Sequence, residues 1–268
     1  MFWDKHDSWE KAEAAWEKGA LSANQTRPLK TLKSLPQMPG VTPKTAKNLK
    51  WKAFKYMVAH DKGRKITRHF LKHPFRYGFR YLTSLVRNKS YRIEDDFYFY
   101  GLKSFHAFEK LYNQKNTLLV VGFSYCQKPF ECPSGRFTDR CIRDPENPIC
   151  RQCDIGKTLH ALPQERTVPL LIPTIHYIGE KVFDLVHANP KKRVLFLITA
   201  CEMTLKMFGD YGNMAGVQGI GVRLDGRICN TMKAFELSEG GIKPGLTVVT
   251  PPTQEKLLGL IRRIRTPA

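Results

Sequence analysis

Short apolar runs alternate with helical patterns from residue 116 onward, and this alternation constrains the fold more than any other feature of the chain. Four runs have the length of buried strands, at residues 118–123, 168–172, 194–199 and 216–224. Helical patterns fall between and after them, near residues 155–162, 175–188, 202–208 and 254–265. Parallel neighbouring strands need a crossover, which is usually a helix. The sequence therefore predicts an α/β fold with a largely parallel sheet and flanking helices.

Two of the predicted strands lead directly to cysteines. Residues 118–123 run into Cys126, and residues 194–199 run into Cys201. Ligands of open α/β sheets gather beyond the carboxyl ends of the strands, so we expect both thiols near one site. A buried core cysteine is the competing interpretation of Cys201, because free cysteines are among the most buried residues.

A cysteine-rich loop follows the first of these strands. Five of the seven cysteines lie in residues 126–153, a stretch that is rich in proline and has little helix or strand periodicity: Cys126, Cys132, Cys141, Cys150 and Cys153. So long a loop buries too little apolar surface to order itself. Metal binding can supply the missing folding free energy, roughly 10–16 kcal/mol for structural zinc. We therefore expect a metal ion or an iron–sulfur cluster here.

Cys150 and Cys153 form the one C-x2-C pair, at the start of a predicted helix with Asp154 as its N-cap. A helix N-terminus lowers the pKa of a thiol, so we expect thiolates at this pair. Cys126 and Cys132 are five residues apart, too far for a zinc knuckle, and neither a second C-x2-C nor a paired histidine follows. This irregular spacing favours an iron–sulfur cluster over structural zinc.

Disulfides and inert thiols are the alternatives to metal ligands. The odd count of seven leaves one thiol unpaired in any disulfide scheme. The first residues contain acids throughout and no apolar core of a secretory leader, so we expect a cytoplasmic protein, in which thiols stay reduced. No stretch of 18 apolar residues predicts a membrane span.

The positive charge of the chain is concentrated in residues 27–92. This segment holds 18 Lys and Arg residues against one acid, Asp61, a local net charge of +17 within a total of +20. A solvated face needs less charge, so we expect an anionic partner: a membrane surface or acidic protein slightly ahead of RNA. No RNP motif or zinc finger is present, which argues against readout of base sequence.

The sequence divides into three predicted regions. An N-terminal helix (residues 7–19, ending at Gly19) and a linker make up residues 1–42, basic amphipathic helices make up 43–115, and the cysteine-rich α/β domain is 116–268. Helices are predicted at residues 43–59, after Gly63 and at 74–86, where Phe75, Phe79, Leu82 and Val86 recur at helical spacing. The α/β domain is thus preceded by a basic helical region.

Several motifs occur in a familiar order: Cys126-x5-Cys132-Pro133, then CRQCDIGK, then ITACE, then GVQGIGVRLDGRICN. In this order they resemble the prokaryotic domain of unknown function 116 family, over roughly residues 118–235. The resemblance implies a cysteine-rich metal or iron–sulfur protein and matches six cysteines to family positions: Cys126, Cys132, Cys150, Cys153, Cys201 and Cys229. Cys141 falls in what looks like an insertion, and RIC replaces the family's usual glycine before Cys229.

These observations predict a metal-binding protein, with a [4Fe–4S] cluster on Cys126, Cys132, Cys150 and Cys153, and with Cys201 and Cys229 nearby. Zinc is the alternative metal. We expect a redox or accessory protein that serves a partner enzyme, cytoplasmic and able to attach to the membrane surface. The alternatives are a thiol-based redox enzyme that uses Cys201 or Cys229, and a zinc-stabilised module that binds an anionic partner. Motifs for a nucleophilic serine, a zinc protease or a dinucleotide are missing, so no catalytic residue is predicted.

Overall fold

The computed structural model describes residues 1–30, 40–86 and 91–265. Within these ranges seven strands form one mixed sheet: β1 (Arg92–Glu94), β2 (Phe97–Tyr100), β3 (Thr117–Ser124), β4 (Thr167–Ile172), β5 (Arg193–Cys201), β6 (Gln218–Gly226) and β7 (Thr247–Val248). The strand order is β1-β2-β6-β5-β3-β4, and β7 pairs with β6 off this path. The predicted α/β class is confirmed.

The centre of the sheet is parallel. Strands β6, β5, β3 and β4 run in the same direction and correspond to the four predicted strands, although β6 begins two residues later than predicted. Seven of the eight residues of β3 are buried, because helices cover both faces of the sheet and neither face meets water. In such strands apolar residues do not alternate with polar ones, and this is why the four runs were recognisable as buried parallel strands.

The antiparallel edge of the sheet was not predicted. Strand β2 pairs with β6, and β1 pairs with β2 around a turn in which Asp95 has a positive φ of 52°. Strand β2 is four residues long and entirely buried, too short to show a period. Residues 92–100 therefore extend the sheet, although they lie in the segment assigned from sequence to the basic helices.

Twelve α-helices occur in the described ranges: α1 (Trp9–Thr26), α2 (Pro43–Ala46), α3 (Leu49–Ala59), α4 (Lys65–Lys72), α5 (Pro74–Val86), α6 (Phe105–Tyr112), α7 (Pro148–Arg151), α8 (Asp154–Ala161), α9 (Ile175–Ala188), α10 (Glu202–Ala215), α11 (Met232–Glu239) and α12 (Pro251–Arg265). Short 3-10 helices lie at Trp3–Lys5, Lys62–Arg64 and Tyr125–Gln127. None of the helices in this part of the chain is both long and apolar enough to cross a membrane.

Helix α1 differs from its prediction at both ends. It begins at Trp9, two residues later than predicted, where Ser8 caps it by accepting the backbone N–H of Lys11 at 3.2 Å, and it continues through Gly19 to Thr26. Residues 20–26 of the predicted linker are thus helical, and residues 31–39 of it lie outside the described ranges. The side chain of Trp16 is buried in the core of the same chain.

The order of connections creates a crevice between β3 and β5. The chain leaves β3 and returns through α8 to β4 on one side, and then crosses through α9 to β5 on the other side of β3. At such a switch of direction two crossovers diverge and leave space beyond the strand ends. The side chains of Gln127 and Thr199 hydrogen bond across this point at 2.9 Å.

Candidate functional site

The seven cysteines fall into two separate groups around two cavities. The first group, here called the switch-point thiols, consists of Cys126, Cys201 and Cys229. The second group, the loop thiols, consists of Cys132, Cys141, Cys150 and Cys153. The predicted cluster ligands are therefore divided, because Cys126 lies at the switch point and Cys141 takes its place among the loop thiols.

The switch-point thiols come from the carboxyl ends of three parallel strands. Cys126 lies in the 3-10 helix after β3, Cys201 ends β5, and Cys229 follows β6. They line one cavity of about 110 Å³ whose remaining wall is mostly apolar, with Ile172 and Ile198 among its residues. The expectation that Cys126 and Cys201 approach each other is met, and burial raises the pKa of the Cys126 thiol.

Cys229 has the surroundings of a thiolate. Lys243 donates a hydrogen bond from Nζ to its Sγ at 3.1 Å, and Ser238 Oγ lies 3.3 Å from the same sulfur. A hydrogen bond with Cys201, together with the charge of Lys243, lowers the pKa of the Cys229 thiol from 9.0 to about 6 despite its burial. These contacts favour the thiolate form of Cys229.

Cys201 is the protonated member of the pair. Its hydrogen bond to Cys229 and its burial raise the pKa of the Cys201 thiol well above the ordinary value. Thr204 Oγ1 lies 3.3 Å from its Sγ, one turn into α10. Next to this pair, burial raises the pKa of Glu239 to about 8, and the Glu239 carboxyl accepts the backbone N–H of Ile175 at 2.8 Å.

The loop thiols surround a smaller cavity of about 20 Å³. Cys132 and Cys141 lie in irregular chain, Cys150 lies in α7, and Cys153 is the N-cap of α8. Burial raises the pKa of the Cys150 thiol to about 11 and that of Cys153 as well, even though the backbone N–H groups of Gly156 and Ile155 act in the opposite sense. Without a bound metal, burial therefore opposes the thiolate form that the helix N-terminus favours.

The side chain of Lys128 holds this loop together. It is 2% exposed, and its Nζ donates to the carbonyl oxygens of Gly135, Thr138 and Arg140 and to the hydroxyl of Thr138, all at 2.8–3.0 Å. Hydrogen bonds from a charged donor stabilise more than neutral ones do. The loop is thus ordered in part by a buried ammonium group, which sequence reasoning missed because a loop lysine is ordinarily exposed.

Arg136 ties the loop to the switch-point thiols. Its guanidinium donates to the carbonyl oxygen of Lys243 at 2.8 Å, to that of Cys126 at 3.1 Å, and to that of Gly245. The ring of Phe130 stacks beneath it at 4.5 Å. Arg136 therefore positions the backbone that carries Lys243, the cation beside the Cys229 thiolate.

In the part of the chain that the structure describes, no group of three or more His, Cys, Asp or Glu side chains has an arrangement that could hold a metal ion. Two histidines instead contact backbone carbonyls: Nε2 of His160 hydrogen bonds the carbonyl oxygen of Arg143 at 3.0 Å, and Nε2 of His176 that of Met57 at 3.1 Å. Comparisons with family models, with curated proteins and with solved structures found no match to this chain. The family resemblance of residues 118–235 stays a prediction.

Proposed function

We propose that this chain is a thiol–disulfide redox protein whose reactive pair is Cys229 and Cys201. One observation carries the proposal: Cys201 and Cys229 lie on the wall of one apolar cavity at the switch point of the sheet, and Lys243 Nζ donates a hydrogen bond to Cys229 Sγ at 3.1 Å. Ligands of α/β sheets bind at this place. A thiolate beside a resolving thiol is the arrangement that disulfide exchange requires.

The exchange proceeds in two balanced steps. Cys229 attacks one sulfur of a substrate disulfide, the substrate S–S bond breaks, and the released thiolate takes up a proton. Cys201 then loses its proton and attacks Cys229 Sγ, which releases the second substrate thiol and leaves a Cys201–Cys229 disulfide. The substrate gains two electrons and the protein loses two, which an external dithiol restores.

The cavity limits the substrate to a slender one. Cys229 is buried, so a sulfur reaches it only through the cavity, whose wall is largely apolar. A bulky, charged disulfide such as that of glutathione fits this environment poorly. We therefore propose as substrate class a disulfide carried on a narrow, uncharged chain.

Trapping of the pair tests this proposal. After treatment with a small uncharged cyclic disulfide, mass spectrometry of the non-reduced protein should find Cys201 and Cys229 joined. The Cys229→Ser variant should form no such bond, whereas Cys126→Ser, which alters the third switch-point thiol, should leave it intact. A wild-type protein that keeps both thiols free under oxidant would refute the proposal.

We propose as a second candidate function that the loop thiols bind a thiophilic metal, for which an iron–sulfur cluster fits better than zinc. Four thiols line one cavity, and the Lys128 ammonium beside them complements the negative charge of a thiolate-bound site. A single zinc ion draws its four sulfurs to about 3.8 Å from one another. Each thiolate of a [4Fe–4S] cluster binds a different iron, so the sulfurs stay further apart and the loop closes less.

Anaerobic reconstitution tests the metal proposal with a built-in control. Iron, sulfide and zinc should be measured in the wild type and in Cys141→Ala and Cys126→Ala. The structure leads us to expect that Cys141→Ala loses metal and Cys126→Ala keeps it, the reverse of the ligand set drawn from the sequence. Equal metal contents in both variants and the wild type would contradict a site on the loop thiols.

Either chemistry suits a cytoplasmic protein that passes electrons or a cluster to a partner enzyme. All seven cysteines are free thiols in the structure, as a reducing compartment requires. We propose this accessory role together with the redox function above. Pull-down with Cys201→Ser, which lacks the resolving thiol and so traps mixed disulfides on Cys229, should identify the partner; recovery of no protein would contradict the role.

A further inference from the structure

Helices α3 and α5 present apolar side chains to solvent on one surface of the protein. The exposed set is Trp51, Phe54 and Val58 of α3, and Phe75, Phe79, Leu82 and Val86 of α5. The rings of Trp51 and Phe54 stack at 5.5 Å, and Phe54 approaches Tyr81 of α5 at 6.3 Å. These residues are here called the apolar face, and the two helices build it together.

The geometry of α5 shows that its apolar stripe faces away from the core. Tyr77 and Ser84 are the buried residues of α5, and Ser84 Oγ donates to Asp210 at 2.6 Å on the neighbouring α10. With 100° per residue, the stripe residues lie on the opposite side of the helix. Phe75 at its start is 92% exposed. A folded protein rarely exposes so many large apolar side chains on two neighbouring helices without a partner.

The charge around the apolar face is positive. Lys55 of α3, Arg76 of α5 and Lys72 at the end of the intervening α4 are exposed, and Asp61 is the one acid of residues 27–92. The carboxylate of Asp61 is occupied, because it accepts hydrogen bonds from Thr67 at 2.7 and 2.8 Å and from the backbone N–H of Ile66. Helices α3 and α5 thus combine exposed apolar side chains with cations and contain no acid of their own.

We infer that this surface docks on an anionic lipid bilayer, with the apolar face immersed in the interface and the cations against the headgroups. Amphipathic helices of this composition lie in the membrane interface. A second copy of the chain is a poor occupant, because two segments of net charge +17 repel each other. The phosphates of a nucleic acid would bind the cations, but a nucleic acid would not bury the aliphatic side chains of Val58, Leu82 and Val86.

Vesicle co-sedimentation of the full chain tests the inference. Vesicles of equal parts phosphatidylcholine and phosphatidylserine should bind the protein, and phosphatidylcholine alone should bind it much less, since each basic residue near the surface contributes roughly fivefold at low salt. The double variant Phe75→Ser/Phe79→Ser keeps every charge and should bind at least about tenfold more weakly, because it removes immersed apolar area.

A matched pair of single variants separates the apolar face from general surface hydrophobicity. Leu82 in the face and Ile242 outside it are each 61% exposed, so Leu82→Ser and Ile242→Ser remove similar apolar groups without disturbing the core. Leu82→Ser should weaken vesicle binding and Ile242→Ser should not. Wild-type binding by the double serine variant, or no binding to the mixed vesicles, would overturn the inference. So would a dimer in solution that the serine variants dissociate, or tight binding to mixed RNA that they leave unchanged.

Discussion

Replacement of Cys201 by alanine should raise the pKa of the Cys229 thiol. The hydrogen bond with Cys201 is the largest cause of the low pKa of Cys229, about 6, and Lys243 is the next stabilising group. The alanine variant loses the hydrogen bond with Cys201 and keeps Lys243 in place. The midpoint of the Cys229 titration should therefore move upward, because burial, which raises the pKa, is then opposed mainly by Lys243 at 3.1 Å.

The size of the effect decides which measurement to make. At pH 7 a thiol of pKa 6 is about 90% ionised and one of pKa 9 about 1%, so full loss of the shift would cut the thiolate population about 90-fold. The less acidic thiolate is, however, intrinsically about 15–30-fold more nucleophilic. The rate at which Cys229 reacts at pH 7 then changes only about three- to sixfold, whereas the pH at which half of Cys229 is ionised changes much more.

The pH profile of alkylation is thus the informative assay. Iodoacetamide labelling of Cys229 should be followed by mass spectrometry from pH 5 to about 10, a range that brackets both pKa values. Cys201→Ser is the control: its hydroxyl still donates to Cys229, so the midpoint should rise less than in Cys201→Ala. An unchanged midpoint in Cys201→Ala, or a wild-type midpoint at the ordinary thiol value, would refute the assignment of Cys229 as the thiolate.

Three further outcomes follow from buried polar groups. Lys128→Met removes a buried ammonium group that donates hydrogen bonds to four oxygen atoms of the loop, and it should lower the free energy of unfolding by about 2–4 kcal/mol in urea titration. The exposed Lys115→Met should change it little, and equal effects would contradict the role of Lys128. Burial raises the pKa of Glu239 from 4.5 to about 8, so the native state loses stability as the pH rises through this window. Glu239→Gln should be more stable than the wild type at pH 9, on the order of 1 kcal/mol, and equal to it at pH 4. A difference in stability that does not depend on pH would argue against a buried neutral acid. Although burial opposes it, hydrogen bonds from Thr253 and Arg223 hold the pKa of Asp96 below 3.8, so the contribution of Asp96 to stability is present above pH 3.8 and lost as pH falls further. Asp96→Asn should lower the free energy of unfolding by about 2 kcal/mol at pH 7 and make it depend less on pH below 3.8. A variant with the same loss of stability in acid as the wild type would exclude Asp96 as the source of that loss.

The parallel half of the fold was predictable because its signals are local. Buried strands such as β3 and β5 are uninterrupted apolar runs, and the rule that parallel strand ends meet at one edge brought Cys126 and Cys201 together. The antiparallel edge was not predictable in this way. Strand β2 is defined by its pairing with β6 rather than by any pattern of its own.

The spacing of the cysteines in the sequence also could not predict their division into switch-point thiols and loop thiols. Cys141 joins Cys132 because the loop folds back around the ammonium of Lys128, and Arg136 holds the Cys126 carbonyl on the other side. Both cations donate to backbone carbonyls, and because every residue has one, these acceptors cannot be recognised from the sequence. The acidity of Cys229 depends likewise on Lys243, which follows it by fourteen residues in irregular chain.

The pairing of β2 with β6 has a consequence for synthesis on the ribosome. Phe97 pairs with Val222, about 125 positions further along, so β2 emerges long before its partner. At 5–20 residues per second this delay is roughly 6–25 s. All that time four consecutive aromatic residues, Phe97–Tyr100, present an unsatisfied strand edge in the nascent chain. We expect chains truncated before β6 to aggregate and the full-length chain to require a chaperone that shields this segment until translation passes Gly226.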